Sequence, residues 1–221
     1  MLILFMACEI YLIKNADAET NRAYRKGVGG RSNFAEITKN GILQAKALGK
    51  SLKGIKFNKV YSSPAIRTQQ TARYCLEEMG VSPHIIELDS ALLELSQGDW
   101  EGQPRDEIYG REDFVKGLEK DCWNFVPGDK IKGESQAMVA KRMMDWVKQI
   151  KLTKGKILAF ASAYSIKYFL ADLLDSDKKL AYKIPVKSAS VTIIKYEKGK
   201  FTCTIQNDLS HLEKAGLLTI K

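Results

Sequence analysis

The sequence predicts an α/β layered domain built on a mostly parallel sheet. Three observations carry that reading. Short continuous apolar runs alternate with helix-periodic segments along the whole chain. The first two of those helical segments each stop on a glycine, Gly54 and Gly80, the residue favoured just past a helix end. A length of 221 residues with 45% hydrophobic content is enough for one well-buried core. Residues 1–221 are therefore expected to form a single domain, without internal repeats or a low-complexity linker.

Taken in order, CEIYLI (8–13) is the first strand. Thr38 is placed to cap a helix over KNGILQAKALGKSLKG, in which Ile42, Ala45, Leu48 and Leu52 share one face. NKVYSS is a second strand, which meets Pro64 and gives way to the helix AIRTQQTARYCLEEMG. From residue 83 to 133 the pattern loosens into a strand HIIEL, a loop LELSQGDWEGQPRDE, a helix EDFVKGLEKDCWNF and the turn-rich VPGDKIKG. Such an irregular stretch reads as a lid-like insertion, the kind of segment that carries function. ESQAMVAKRMMDWVKQI is strongly amphipathic, GKILAFA is a buried strand and YSIKYFLADLL is a helix. ASVTIIKYEKGKFTCTIQN then reads as two strands joined through EKGK.

Composition narrows the function classes. The net charge of +9 raises the question of nucleic-acid binding, but the lysines are spread along the chain with no basic motif interleaved with aromatics. A solvated basic surface is the preferred reading. The four cysteines, Cys8, Cys75, Cys122 and Cys203, form no C-x-x-C pair, so neither a zinc site nor a disulfide framework is suggested and a reducing, cytoplasmic setting is expected. The opening MLILFMAC lacks a basic n-region and its apolar run is short, so it is not expected to be a signal peptide or a membrane span. Met6 is an alternative start to Met1.

Several stretches form a recognisable series. LIKNADAETN is followed by ITKNGILQA, VYSSPAIRTQQTA, LLELSQGDWEG, KGESQAMVAKR, KILAFASAYSIK and NDLSHL. From about Glu9 to His211 this series resembles the histidine phosphatase superfamily, whose fold is that of the cofactor-dependent phosphoglycerate mutases. There a strand ends in R-H-G or R-H-A with an asparagine beyond, and later motifs read L-T-x-x-G-x-x-Q-A, Y-S-S-P-x-x-R-x-x-Q-T-A, L-x-E-x-x-x-G-x-W-E-G and G-E-S-x-x-x-V-x-x-R. A second apolar strand ends in H-G or H-A. The resemblance implies a three-layer α/β/α sandwich with a mixed, mainly parallel central sheet and a pocket at the carboxyl ends of its strands.

Family chemistry implies a role for each matching position. A first histidine attacks phosphorus, arginines and a second histidine neutralise the equatorial oxygens, and a carboxylic acid protonates the leaving oxygen. Arg67 falls on the pocket arginine and Glu94 on the general acid. Lys14 stands for the first arginine, keeping its charge but exchanging a planar fork for a point cation. Asn21 falls on the asparagine, and Arg25 is a rim candidate. Asn15 and Ser162 fall where the two histidines are expected, while Ala16 and Ala163 match residues the family accepts. An amide nitrogen, its lone pair delocalised into the carbonyl, is no nucleophile. The chain has two histidines, His84 and His211, and neither falls on a catalytic position. Loss of a cooperating nucleophile costs on the order of 10⁶ in turnover.

The leading expectation is a catalytically degenerate member that binds phosphate or a small phosphorylated ligand, or that binds another protein as a regulatory or partner subunit, as a homodimer or a heterodimer with an active relative. No cofactor, metal, nucleic acid or membrane is expected. An alternative is a phosphomonoesterase with altered chemistry using Ser162 or Glu94. A further alternative is an engineered inactive variant of an active phosphatase, against which the lysine at position 14 argues for natural drift.

Overall fold

The structure, a computed structural model, describes residues 8–23, 27–153 and 155–218. The leader with Met6, and Arg25, lie outside the described residues. Fourteen strands and α-helices follow in the order β1 (Cys8–Lys14), α1 (Thr20–Ala23), α2 (Lys39–Leu52), β2 (Lys59–Ser62), α3 (Ile66–Met79), β3 (Ile86–Leu88), α4 (Arg105–Tyr109), α5 (Glu112–Asp121), α6 (Gln136–Ile150), β4 (Gly155–Ala161), α7 (Ala163–Leu173), β5 (Val191–Glu197), β6 (Lys200–Asp208) and α8 (Ser210–Lys214).

The six strands form one mixed sheet in the order β3-β2-β4-β1-β5-β6. β3, β2, β4 and β1 run parallel; β5 is antiparallel to β1, and β6 to β5. Alternation along the central strands sorts the core into two layers. Ile10 and Leu12 of β1, with Ile157, Ala159 and Ala161 of β4, pack against Met143, Trp146 and Val147 of α6 and Ile166, Phe169 and Leu170 of α7. Tyr11 and Ile13, with Leu158 and Phe160, point the other way, onto Leu48 and Leu52 of α2 and Ala72, Cys75, Leu76 and Met79 of α3. Helices therefore cover both faces, as expected for an α/β sheet whose central strands read as continuous apolar runs.

Local chemistry sets the boundaries. Thr38 accepts a hydrogen bond from the Gly41 N–H and caps α2, and Gly80 closes α3 in the left-handed region with φ +78°. Lys198 and Gly199 both have positive φ, the requirement of a two-residue type I′ hairpin turn, and they join β5 to β6.

The segment between β2 and α6 departs most from expectation. HIIEL is a strand only over Ile86–Leu88, because Pro83 starts a one-turn 3-10 helix with Ser82 as its cap. The stretch expected to be an open loop contains α4, and the following helix ends at Asp121 instead of Phe125. Asp121 explains that stop: its carboxylate accepts from the backbone N–H groups of Trp123 and Asn124 and from the Asn124 side chain, a local alternative to further helix. This region has an aromatic cluster of its own, Val28, Trp100 and Ile108 with Tyr109, Phe114 and Phe125.

Gly41 is the tightest point of the α2 docking. A Cβ there would lie 2.1 Å from the Asp17 carbonyl oxygen. Gly→Ala inside a helix is normally stabilising by up to about 1 kcal/mol. Gly41→Ala is expected to reverse that sign and cost about 1–3 kcal/mol through overpacking, read as a lower urea midpoint at unchanged m-value. A raised midpoint would show that α2 does not meet the Asp17 loop this closely.

Candidate functional site

Parallel pairing of β1 with β4 runs from Cys8↔Gly155 to Lys14↔Ala161, so both strands end at one level and Asn15 and Ser162 leave the sheet side by side. The Asn15 N–H donates to the Ala161 carbonyl at 2.9 Å, extending the ladder one step. β2 ends beside them, with Ser62 paired to Phe160 and the Ser63 N–H donating to the Phe160 carbonyl at 3.0 Å. α3 starts three residues later and carries Arg67 back over the strand ends. The result is a cleft of about 640 Å³ with Lys14, Asn15, Arg67 and Glu94 in its lining, outside the carboxyl ends of the strands where open α/β sheets bind ligands.

Two cations and a carboxyl dominate it. Lys14, 7% exposed, donates from Nζ to Ser188 Oγ at 2.9 Å. Burial lowers its pKa to about 8, with Glu94 and Asp17 opposing that shift and Arg67 adding to it. Arg67, 3% exposed, is tethered at one end, Nη1 donating to the Ser32 carbonyl at 2.7 Å. Glu94 accepts from the Leu95 N–H at 2.9 Å and, at the start of α7, from the Tyr164 N–H at 3.0 Å. Desolvation nevertheless holds its carboxyl above the usual range, against those hydrogen bonds and against Arg67 and Lys14. Glu94 thus occupies the helix N-terminus, a place that favours any anion.

The loop after β1 is held by Asp17. Its carboxylate accepts from Asn21 Nδ2 at 2.6 Å and from Thr38 Oγ1 at 2.8 Å, while its N–H donates to Gln44 Oε1 at 2.9 Å. The Ala16 N–H donates to Thr71 Oγ1 at 3.0 Å. Threonine, glycine and glutamine of ITKNGILQA are therefore the loop's clamp. Glu94 is fixed from behind by Arg142, which pairs with Glu134 at 2.8 Å and donates to the carbonyls of Ala91, Leu93 and Glu94. Glu134 in turn accepts from the Ser96 N–H, so KGESQAMVAKR and LLELSQGDWEG are two halves of one brace.

The structure brings Lys14, Asn15, Asn21, Arg67 and Glu94 together on the cleft. The Asn21 amide is committed to Asp17, which makes it a loop brace. Ser162 lies beside the cleft but is fully buried and outside its lining; it forms a capping box with Ser165 at the start of α7, its N–H donating to Ser165 Oγ at 3.1 Å. His84 is exposed and His211 is buried; neither lines the cleft. Sequence reasoning missed Asp17, Ser188 and the cleft-mouth residues Tyr164 and Lys167. Of these, Asp17 alone had a signal, lying between the strand-end motif and Asn21.

Residues 10–209 match the histidine phosphatase superfamily (branch 1), and the chain belongs to that family. Over 75 residues it is 40% identical to the 2,3-bisphosphoglycerate-dependent phosphoglycerate mutase of Bartonella tribocorum, a match covering 33% of this chain and 36% of that protein. It is similar in fold to Bacillus stearothermophilus YhfR, with TM-score 0.77 at 24% identity over 93% of this chain and 99% of that one. It is similar also to the phosphoserine phosphatase of Entamoeba histolytica in complex with 3-phosphoglyceric acid, with TM-score 0.75 at 25% identity over 93% and 99% of the two chains.

The electrostatics set a pH dependence. Lys14 is cationic below about 8 and neutral above it. Sulfate, whose charge is constant across this range, should therefore bind more weakly as pH rises through about 8. Glu94→Gln removes a competing negative charge, so sulfate affinity at neutral pH is expected to rise severalfold, by roughly the 1 kcal/mol typical of a helix-terminus charge. Calorimetric titration reads both effects; a flat profile with an unchanged Glu94→Gln variant would place the anion elsewhere.

Proposed function

We propose that this chain binds a small phosphorylated molecule in the cleft and does not pass its phosphoryl group through a histidine. The observation that carries the reading is the combination of a buried two-cation floor with an amide, Asn15, at the first position beyond β1. On this reading Asn15 and Ser162 stand where relatives hold their catalytic histidines, and neither supplies a nucleophilic imidazole. Arg67 and Lys14 grip the phosphate oxygens. The ligand class takes support from the similar Entamoeba protein, which holds 3-phosphoglyceric acid, a small phosphate ester.

One observation favours a second reading, a phosphomonoesterase of altered chemistry: burial raises the pKa of Glu94, the direction that favours a proton donor. Ser162 lends that reading less, since its buried Oγ touches no base.

Residues 83–133, which carry Glu94, are proposed to act as a cover for the site within a single domain. Pairing with a second copy or with an active relative, in the cytoplasm, is proposed on the sequence alone. No helix among the described residues is long and apolar enough to cross a membrane.

The test is a phosphoenzyme assay with 32P-labelled phosphomonoesters. The chain as it stands is expected to form no acid-labile phosphoenzyme and to show no turnover. Asn15→His combined with Ser162→His is expected to gain a measurable signal, reduced by roughly 10² where the pocket sits an ångström from catalytic geometry. Arg67→Ala is expected to weaken phosphate binding at least about tenfold, as loss of a charge-assisted hydrogen bond does. Turnover by the purified chain that Glu94→Gln abolishes would replace this reading with the altered phosphomonoesterase.

A further inference from the structure

We propose that Lys14 is a carbonyl-reactive amine, which condenses with a phosphorylated aldehyde held in the cleft to form an imine. The proposal rests on the reading above that the cleft holds a phosphate ester, and adds the chemical class of that ester and a covalent step.

Geometry comes first. Lys14 is buried on the cleft floor and its Nζ has one hydrogen-bond partner among the described residues, Ser188 Oγ at 2.9 Å. None of the ion pairs among the described residues involves it. An ammonium carries three donors and no lone pair, whereas a neutral amine has a lone pair to offer. One hydroxyl is poor solvation for a buried ammonium, and the groups facing Lys14 do not make up the difference. Arg67 of α3 repels the proton, while Asp17 and Glu94 attract it. The Asp17 carboxylate is spent on Asn21 and Thr38 and that of Glu94 on two backbone N–H groups. Lys167 of α7 and Lys187, next to Ser188, add further positive charge to the cleft lining. Burial, with a smaller effect from Arg67, lowers the Lys14 pKa to about 8 and leaves a usable fraction of free amine at neutral pH. A lysine desolvated beside another cation is a recurrent design of imine-forming sites.

The other parts of an imine-forming site are in the same cleft. The ammonium form of Lys14 shares the phosphate with Arg67; in the neutral form Arg67 alone holds it, and the Nζ lone pair is left for the carbonyl carbon. The Nζ lone pair forms the C–N bond as the carbonyl π pair moves to oxygen, which takes a proton from the Glu94 carboxylic acid. The nitrogen then returns a proton to the Glu94 carboxylate, giving a neutral carbinolamine. Glu94 protonates the hydroxyl, which leaves as water while the nitrogen lone pair closes the C=N bond, and the N–H proton of the resulting iminium returns to the Glu94 carboxylate. The sum is amine plus aldehyde giving imine plus water, with no oxidant or reductant. Glu94 lines the same cleft as Lys14, and burial raises its pKa, the direction that favours proton donation. A carbonyl carbon is the better electrophile for this amine than phosphorus, because the phosphate's negative charge does not shield it.

The experiment is reductive trapping. Purified full-length chain is incubated with glyceraldehyde 3-phosphate and sodium cyanoborohydride, with glyceraldehyde in a parallel arm. Mass spectrometry of intact protein and peptides then locates the secondary amine. The expected result is one adduct on Lys14, formed at least about tenfold faster from the phosphorylated aldehyde because of its charge-assisted anchor. Its rate should rise with pH to a plateau above about 8, and inorganic phosphate should suppress it. Lys14→Arg should lose it, and Arg67→Ala should lose the preference for the phosphorylated aldehyde. Lys14 unlabelled while calorimetry shows inorganic phosphate bound would overturn the reactive amine alone. Labelling confined to surface lysines, or a phosphoramidate on Lys14 in place of the reduced adduct, would overturn it equally. Equal labelling of Lys14 by both aldehydes, with no protection by phosphate, would overturn the phosphate-binding reading and the ligand class with it.

Discussion

The parallel pairing of β1 with β4 is the constraint on which the rest of the site depends. Its register ends both strands at Lys14 and Ala161, so the residues that follow, Asn15 and Ser162, must emerge together whatever their side chains are. A one-residue slip would turn Lys14 from the floor to the other face of the sheet. Register is fixed by burial on both faces: Ile10 and Leu12 on the α6 and α7 side, Tyr11 and Ile13 on the α2 and α3 side. The same alternation that builds the core therefore aims the site.

Outside the sheet, three separate segments are tied to that edge by hydrogen bonds from polar residues of their own. Asp17 ties the loop after β1 to Thr38, Gln44 and Asn21. Thr71 holds the Ala16 backbone, and Arg142 with Glu134 holds the backbone around Glu94. These groups set where Lys14, Arg67 and Glu94 stand. With an amide at position 15, this intact scaffolding still holds Lys14, Arg67 and Glu94 on one cleft. Within that scaffold the charges are unbalanced. Two buried cations face a carboxyl whose pKa burial raises.

Much of this was legible in the sequence where one residue has one dominant reason to be there. Strand runs such as GKILAFA and helix caps such as Thr38 and Gly80 were readable because periodicity and capping act locally. The motif series gave Lys14, Asn15, Arg67 and Glu94 their common cleft. Reading failed where tertiary contacts decide. HIIEL has a strand's composition, but Pro83 and Ser82 turn its first half into a 3-10 helix. EDFVKGLEKDCWNF has a helix's periodicity, but Asp121 offers its own carboxylate to the next amides. Ser188 lies 174 positions from Lys14, and no local pattern announces that it would hold the amine. Burial of Ser162 likewise comes from α7 and the sheet closing around it, which a motif position cannot convey.

The most direct measurement of the central claim, that Lys14 and Arg67 form an anion site at the β1 and β4 strand ends, is anomalous diffraction from crystals soaked in tungstate. The expected result is a tungstate ion within hydrogen-bonding reach of Lys14 Nζ and the free edge of the Arg67 guanidinium, with Glu94 moved off the Tyr164 N–H. Tungstate bound elsewhere on the surface, with the cleft empty at saturating concentration, would contradict it.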